Sequence, residues 1–250
     1  MRPYALSLLL LLISATAFPQ GRKQITEEPD KPHKIKEVFF VLRSDKSVRD
    51  GSYQKFRNDR LMVSGYYKNG QKDSLWQTYS TTQAVTSKKW YDKGKMVGNW
   101  EFYNNNGDTV YTYDFATSKV TYPSGSHHSD TATWFYRNDA GDWVRGHLDQ
   151  AIIPLFGPGE WLSYLNYNFR YPDEAVIKNQ QGKVVISIVV DENGQPSDYS
   201  VSTSVAPSLD AEALRVVSSH ENIFAPAQKD GKKVRSIIFQ PLIFRLEGDR

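Results

Sequence analysis

Seven residues in a row, Val184-Val185-Ile186-Ser187-Ile188-Val189-Val190, are apolar apart from one serine, and the run stops at Asp191-Glu192-Asn193-Gly194. That pattern predicts a buried strand entering a hairpin, with Asn-Gly supplying the positive φ values of a type I′ turn. The return strand is Tyr199-Ser200-Val201-Ser202-Thr203, which alternates as a half-buried strand does. Leu209, Ala213, Val216 and Val217 then recur at helical spacing. Ser208 suits the N-cap of that helix, and Asp210 and Glu212 suit the positive end of its dipole. After the Ala225-Pro226 break and the Asp230-Gly231 turn, Ile237 to Leu246 predicts a final strand. Pro241 lies in the middle of it. Proline donates nothing to a ladder, so this strand is expected at a sheet edge. Val184, Ile186, Ile188 and Val190 point one way and Val185 and Val189 the other. The second face therefore needs a cover, whether the rest of the chain, another copy or a partner.

Upstream the spacing changes to alternating aromatic residues punctuated by glycine. Tyr67, Gly70, Trp76 and Tyr79 recur as Tyr91, Gly94, Trp100 and Tyr103, a period of 24 residues. Each unit reads as an aromatic strand, a Gly turn and a second aromatic strand, and stacked units bury a continuous aromatic row. Gly51 to Phe56 looks like the tail of an earlier unit, and Asn106-Gly107 with Tyr111 and Tyr113 like a decayed later one. Trp134-Phe135-Tyr136 and Trp143-Val144-Arg145-Gly146 flank a turn and predict one more hairpin, assigned to this region. Trp161, Leu162 and Leu165 predict a helix over 160–168 that stops before Tyr171-Pro172.

The chain has 250 residues, enough for two small domains. With 31 Lys plus Arg against 28 Asp plus Glu, net charge gives no argument for nucleic acid. The absence of cysteine excludes disulfides, thiolate metal sites, cysteine nucleophiles and lipid attachment through an N-terminal cysteine. Arg2, the apolar run Leu6 to Ile13 and Ala15-Thr16-Ala17 have the form of a secretory signal cleaved after Ala17. An uncleaved inner-membrane anchor is the alternative. Residues 18–36 are polar and read as an extended, poorly ordered leader.

Candidate chemistry is sparse. His127-His128 beside Asp130 lacks a distant third ligand, so no metal is expected there. Ser124 to Asp130 holds serine, histidine and aspartate together, but triad members meet through the fold and no nucleophile elbow occurs. Gly157-Pro158-Gly159 lacks the spacing and lysine of a phosphate loop. No carboxylate pair suggests acid/base work. The chain is expected to be no enzyme and to need no cofactor. Trp76 and Trp100, among lysines, are the candidates for a glycan- or lipid-binding surface on the repeats.

Phe169-Arg170-Tyr171-Pro172-Asp173-Glu174-Ala175, Gly182-Lys183-Val184, Val190-Asp191-Glu192-Asn193-Gly194, Leu209 to Leu214, Phe224-Ala225-Pro226-Ala227 and Pro241-Leu242-Ile243-Phe244-Arg245-Leu246 together resemble the TonB C-terminal domain, in its Bacteroidetes-type form. The Gly and aromatic positions of 51–115 resemble MORN-type repeats. With the signal (1–17) and leader (18–36) read above, these likenesses imply an all-β repeat domain (37–150) and an α+β domain (159–247) with a three-stranded antiparallel sheet and two helices. The TonB likeness further implies a periplasmic or envelope protein that takes up a partner peptide by strand addition, such as the N-terminal segment of an outer-membrane transporter. The edge residues in question are Arg235, Ser236, Ile237, Ile238, Phe239 and Gln240. Homo-oligomerisation, and a surface-binding repeat protein whose C-terminal domain only assembles copies, are the alternatives.

Overall fold

The structure is a computed structural model describing residues 21–30, 34–124 and 132–246. The expected signal segment, and His127, His128 and Asp130, lie outside the described residues.

Nine antiparallel strands form one sheet in chain order: β1 (Arg22–Asp30), β2 (Ile35–Leu42), β3 (Arg49–Arg57), β4 (Arg60–Lys68), β5 (Gln71–Tyr79), β6 (Val85–Asp92), β7 (Lys95–Tyr103), β8 (Thr109–Asp114) and β9 (Lys119–Thr121). The polar leader expected over 18–36 is therefore corrected at 22–30 and 35–36, which are strand. β1 pairs with β2, Ile25 opposite Phe39, and Ile25 packs on the cluster of Phe39, Val41, Tyr53 and Trp76. An edge strand needs only such a partial apolar contact, and its charges guard the open side.

The 24-residue repeat is visible in the geometry as well as the sequence. Trp76 Nε1–H donates to the Tyr66 carbonyl at 3.1 Å, and Trp100 Nε1–H donates to the Trp90 carbonyl at 3.0 Å. Gly70 N–H reaches the Arg49 carbonyl and Gly94 N–H the Lys72 carbonyl, both at 2.8 Å. Matching bulges interrupt both hairpins, between Ser64 and Tyr66 and between Lys88 and Trp90. Facing them, Ser74 and Gly98 adopt φ of 59° and 66°. Each bulge turns its tryptophan back over the preceding strand, which is how successive units bury one aromatic row.

The second sheet has five strands, ordered β11-β10-β18-β13-β14. Its strands are β10 (Trp134–Arg137), β11 (Trp143–Gly146), β13 (Gly182–Val190), β14 (Pro196–Thr203) and β18 (Ser236–Phe244); the short β12 (Ile153–Pro154) and β15 (Phe224–Ala225) pair with each other, as do β16 (Ala227–Lys229) and β17 (Lys232–Val234). The expected three-stranded sheet is thus extended by the β10–β11 hairpin, which joins the C-terminal sheet and not the repeats. Three helices accompany it where two were expected: α1 (Pro158–Asn168), α2 (Asp173–Ile177) and α3 (Pro207–Ser218).

Leu209, Ala213, Val216 and Val217 of α3 are fully buried with Val184, Ile186, Val190 and Phe244. Ser208 is not the cap. The helix starts two residues earlier, at Pro207 with Ala206 at the N-cap, and Asp210 instead accepts the Val205 N–H at 3.1 Å. The Asn193-Gly194 turn is also not type I′, since only Gly194 has positive φ (78°). Asp191 accepts the N–H groups of Asn193 and Gln195 at 2.9 and 2.8 Å, which stabilises a longer loop. The two sheets meet where Leu155 and Ala225 join the buried cluster of Trp100, Phe102, Tyr111 and Tyr113.

Candidate functional site

The decisive geometry is at β18. Along its whole length it pairs with β13, from Ser236 opposite Val190 to Phe244 opposite Gly182, with no register shift. On its other side β10 covers the start of the strand. Phe135 lies opposite Ile237 and Tyr136 opposite Ser236, and Arg137 N–H donates to the Arg235 carbonyl at 2.8 Å. Among the described residues, no strand pairs with that side beyond Ile237.

Parity then says which backbone groups are open. In an antiparallel ladder both polar groups of a residue point to the same neighbour, and the next residue's point to the other. Arg235 faces β10, so Ile237, Phe239, Pro241 and Ile243 face the same way, while Ser236, Ile238, Gln240, Leu242 and Phe244 face β13. The ring nitrogen of Pro241 therefore falls on the unpaired side and removes no bond from the β13–β18 ladder. The sequence expectation of an edge at Arg235, Ser236, Ile237, Ile238, Phe239 and Gln240 is corrected accordingly. Its first three residues are held by the chain's own β10, and the open edge runs from Phe239 to Ile243. The signal missed was the Trp134–Gly146 hairpin, whose apolar alternation fits a second sheet as well as a first.

Residues around this edge have distinct characters on the two faces. Ser236, Leu242 and Phe244 are buried against the helices, with Phe169 and Tyr171 packed on the Phe244 ring at 4.9 and 5.7 Å. On the opposite face Phe239 is 43% and Ile243 62% exposed. Val185 and Val189 lie on that face, half-buried, beside Pro241 and Ile237.

Trp76 and Trp100 are not exposed on the sheet surface, although Trp76 lines the cleft beside α1. Trp76 is 6% exposed and Trp100 fully buried, because both are the ring each unit must bury. A cleft of about 850 Å³ does separate the nine-stranded sheet from α1, walled by Tyr53, Lys72 and Tyr91 on one side and Glu160, Tyr164 and His220 on the other. Lys89 and Glu160 bridge it at 3.1 Å. Lys89 occupies the repeat position that Gly65 holds in the preceding unit, so one substitution between units supplies the strap to the helix. His220 sits among the rings of Phe156, Trp161 and Tyr164, 4.5–5.2 Å away, and contacts Asn222 Oδ1 at 3.0 Å. Burial lowers its pKa below the usual histidine value, with the Asn222 contact and the Glu160 charge opposing.

The comparison that bears on this edge covers its whole length. Residues 167–246 match the family model of the Gram-negative bacterial TonB protein C-terminal. The match takes in about a third of the chain, including α2, α3, β13, β14 and β18. The β10–β11 hairpin and the nine-stranded sheet lie outside the TonB-type segment. No curated protein matches the chain. Two solved structures share 19% identity at a TM-score of 0.26: a mutant of S. aureus TarM in complex with fondaparinux, alpha-GlcNAc-glycerol and UDP, and TarM. Each match covers 40% of this chain and 21% of TarM, a likeness too slight to speak to fold or ligand. No helix among the described residues is long and apolar enough to cross a membrane.

Proposed function

We propose that this chain is a non-enzymatic, exported cell-envelope protein whose TonB-type segment receives an extended segment of a partner protein by strand addition. The incoming strand lies along Phe239–Ile243, in line with β10 and on the same side of β18. The observation that supports this is the run of outward backbone groups there: N–H and C=O at Phe239 and Ile243, and C=O at Pro241. Main-chain bonds to these groups supply affinity, and the side chains flanking them select sequence. The partner class the TonB likeness suggests is the N-terminal segment of an outer-membrane transporter. The nine-stranded sheet, a MORN-like array in this reading, acts as the rigid body on which the docking sheet is mounted. No cofactor takes part.

The test is titration of the full-length chain with transporter-derived N-terminal peptides, read by amide shifts in NMR. A parallel set carries N-methyl groups at alternate positions. Binding with shifts at Phe239, Gln240 and Ile243, abolished in one N-methyl register and kept in the other, is the expected outcome. Binding that ignores N-methylation in both registers, or shifts that avoid residues 239–244, refutes strand addition here.

A further inference from the structure

Among the described residues, helices cover one face of the five-stranded sheet only, and the other face has a composition that points to a particular partner. Cross-strand register places Trp143 and Arg145 of β11, Phe135 and Arg137 of β10, Ile237, Phe239, Pro241 and Ile243 of β18, and Lys183, Val185 and Val189 of β13 on it together. Trp143 and Phe135 are each 38% exposed. Phe135 and Phe239 meet edge to face at 6.1 Å and join the apolar side chains of β10 and β18, while on β13 Ser187, opposite Phe239, separates Val185 from Val189. Such a contiguous patch is unusual on a solvent-facing surface.

Cations rim this patch. The guanidinium of Arg137 lies 5.3 Å from the Trp143 ring and that of Arg145 5.9 Å from the Phe135 ring. Lys183 stands opposite Ile243, and Arg245 lines a shallow groove with both. All four cations are exposed, and none forms an ion pair among the described residues, where ten such pairs occur elsewhere. The carboxylate these strands place on the face, Asp198 opposite Val189, stands on the far strand.

We infer that this face docks the apolar side of an acidic amphipathic helix belonging to a partner protein. The charge pattern decides between occupants. A second copy brings the same four cations against these four, which opposes self-association. A bilayer is disfavoured because Trp143, Phe135 and Phe239 keep more than half their surface against the sheet and do not project. A nucleic acid is disfavoured because the chain's net charge is only +3. A helix laid on the open face completes the layer the sheet lacks, and its carboxylates meet Arg137, Arg145, Lys183 and Arg245 at the rim. This inference does not rest on strand addition at Phe239–Ile243, and the two are separable by experiment.

The probe is a synthetic peptide of about five helical turns, leucines on one side and glutamates on the other, added to the full-length chain. Its counterparts are the same peptide with lysine for glutamate, and vesicles of mixed phosphatidylglycerol and phosphatidylcholine. The expected result is binding of the acidic peptide, weakening as salt is raised. Shifts are expected at Phe135, Trp143, Val185 and Ile243 and not in α3, with at least about tenfold weaker binding in the Arg137→Glu/Arg145→Glu variant. Those exposed substitutions leave the core untouched, and an unchanged thermal midpoint checks folding. Equal binding of the lysine peptide, vesicle binding without peptide binding, or no shifts on this face each overturns the inference.

Discussion

Replacing Gly65 by alanine tests whether the aromatic row is what holds the repeat array together. Trp76 folds back over Gly65, and a Cβ at that position overlaps indole atoms Cδ2, Cε2 and Cε3 of Trp76. The ring has little room to retreat. It is stacked on Tyr53 at 5.4 Å, meets Tyr67 edge-on at 5.0 Å, and is tethered by its 3.1 Å bond to the Tyr66 carbonyl. Displacing it forfeits that bond, about 1 kcal/mol, and weakens two ring contacts, each about 0.5–1.5 kcal/mol. Overpacking of this kind costs about 1–3 kcal/mol on its own terms. An expected loss of about 1–4 kcal/mol spans both routes to the number. Urea unfolding of the full-length chain, followed by tryptophan fluorescence and far-ultraviolet dichroism, measures it. Shrinking the ring relieves the overlap, so Gly65→Ala and Trp76→Leu should be non-additive by about 1–3 kcal/mol in a double-mutant cycle. A Gly65→Ala variant within about 0.5 kcal/mol of the parent, or an additive cycle, refutes the reasoning.

Gly194→Ala should cost about 2–4 kcal/mol, because the new Cβ overlaps the Phe224 carbonyl while the backbone keeps φ of 78°; chemical denaturation reads it directly. Pro241→Ala should change stability by less than about 1 kcal/mol, since the restored N–H faces away from β13. Gln240→Pro should cost about 1–3 kcal/mol by deleting a β13–β18 bond, and equal effects of the two in thermal melts contradict the assigned parity. His220 has a folded pKa below its ordinary 6.5, so between these values the unfolded chain binds more protons and stability falls as pH is lowered through 6.5. The loss levels off below the folded pKa, and melts across that window should show a smaller slope in His220→Phe.

Much of the C-terminal fold was legible because local signals there agree with the tertiary result. Alternate residues of Val184–Val190 are buried as the pattern required, and Leu209, Ala213, Val216 and Val217 form the buried helix face. The 24-residue period likewise returned as equivalent bulges and indole bonds. What was not legible depends on partners distant in sequence. Nothing local to Trp134–Arg137 says that it pairs with Ser236 and Ile237, so the assignment of that hairpin to the repeats and the placement of the edge at Arg235–Gln240 failed together. The polar run at Arg22–Asp30 reads as leader because an edge strand needs little apolar surface. Trp76 and Trp100 show the converse, where an aromatic beside lysines is indistinguishable by sequence from one buried beneath them.

The central claim is an unfilled strand edge, and backbone amide hydrogen exchange on the free full-length chain measures it most directly. Fast exchange is expected at Phe239 and Ile243 beside slow exchange at Ile238, Gln240 and Leu242, with the two fast amides becoming protected when a transporter-derived N-terminal peptide is added. Slow exchange at Phe239 and Ile243 in the free chain would mean that its own backbone already fills the position, and would contradict it.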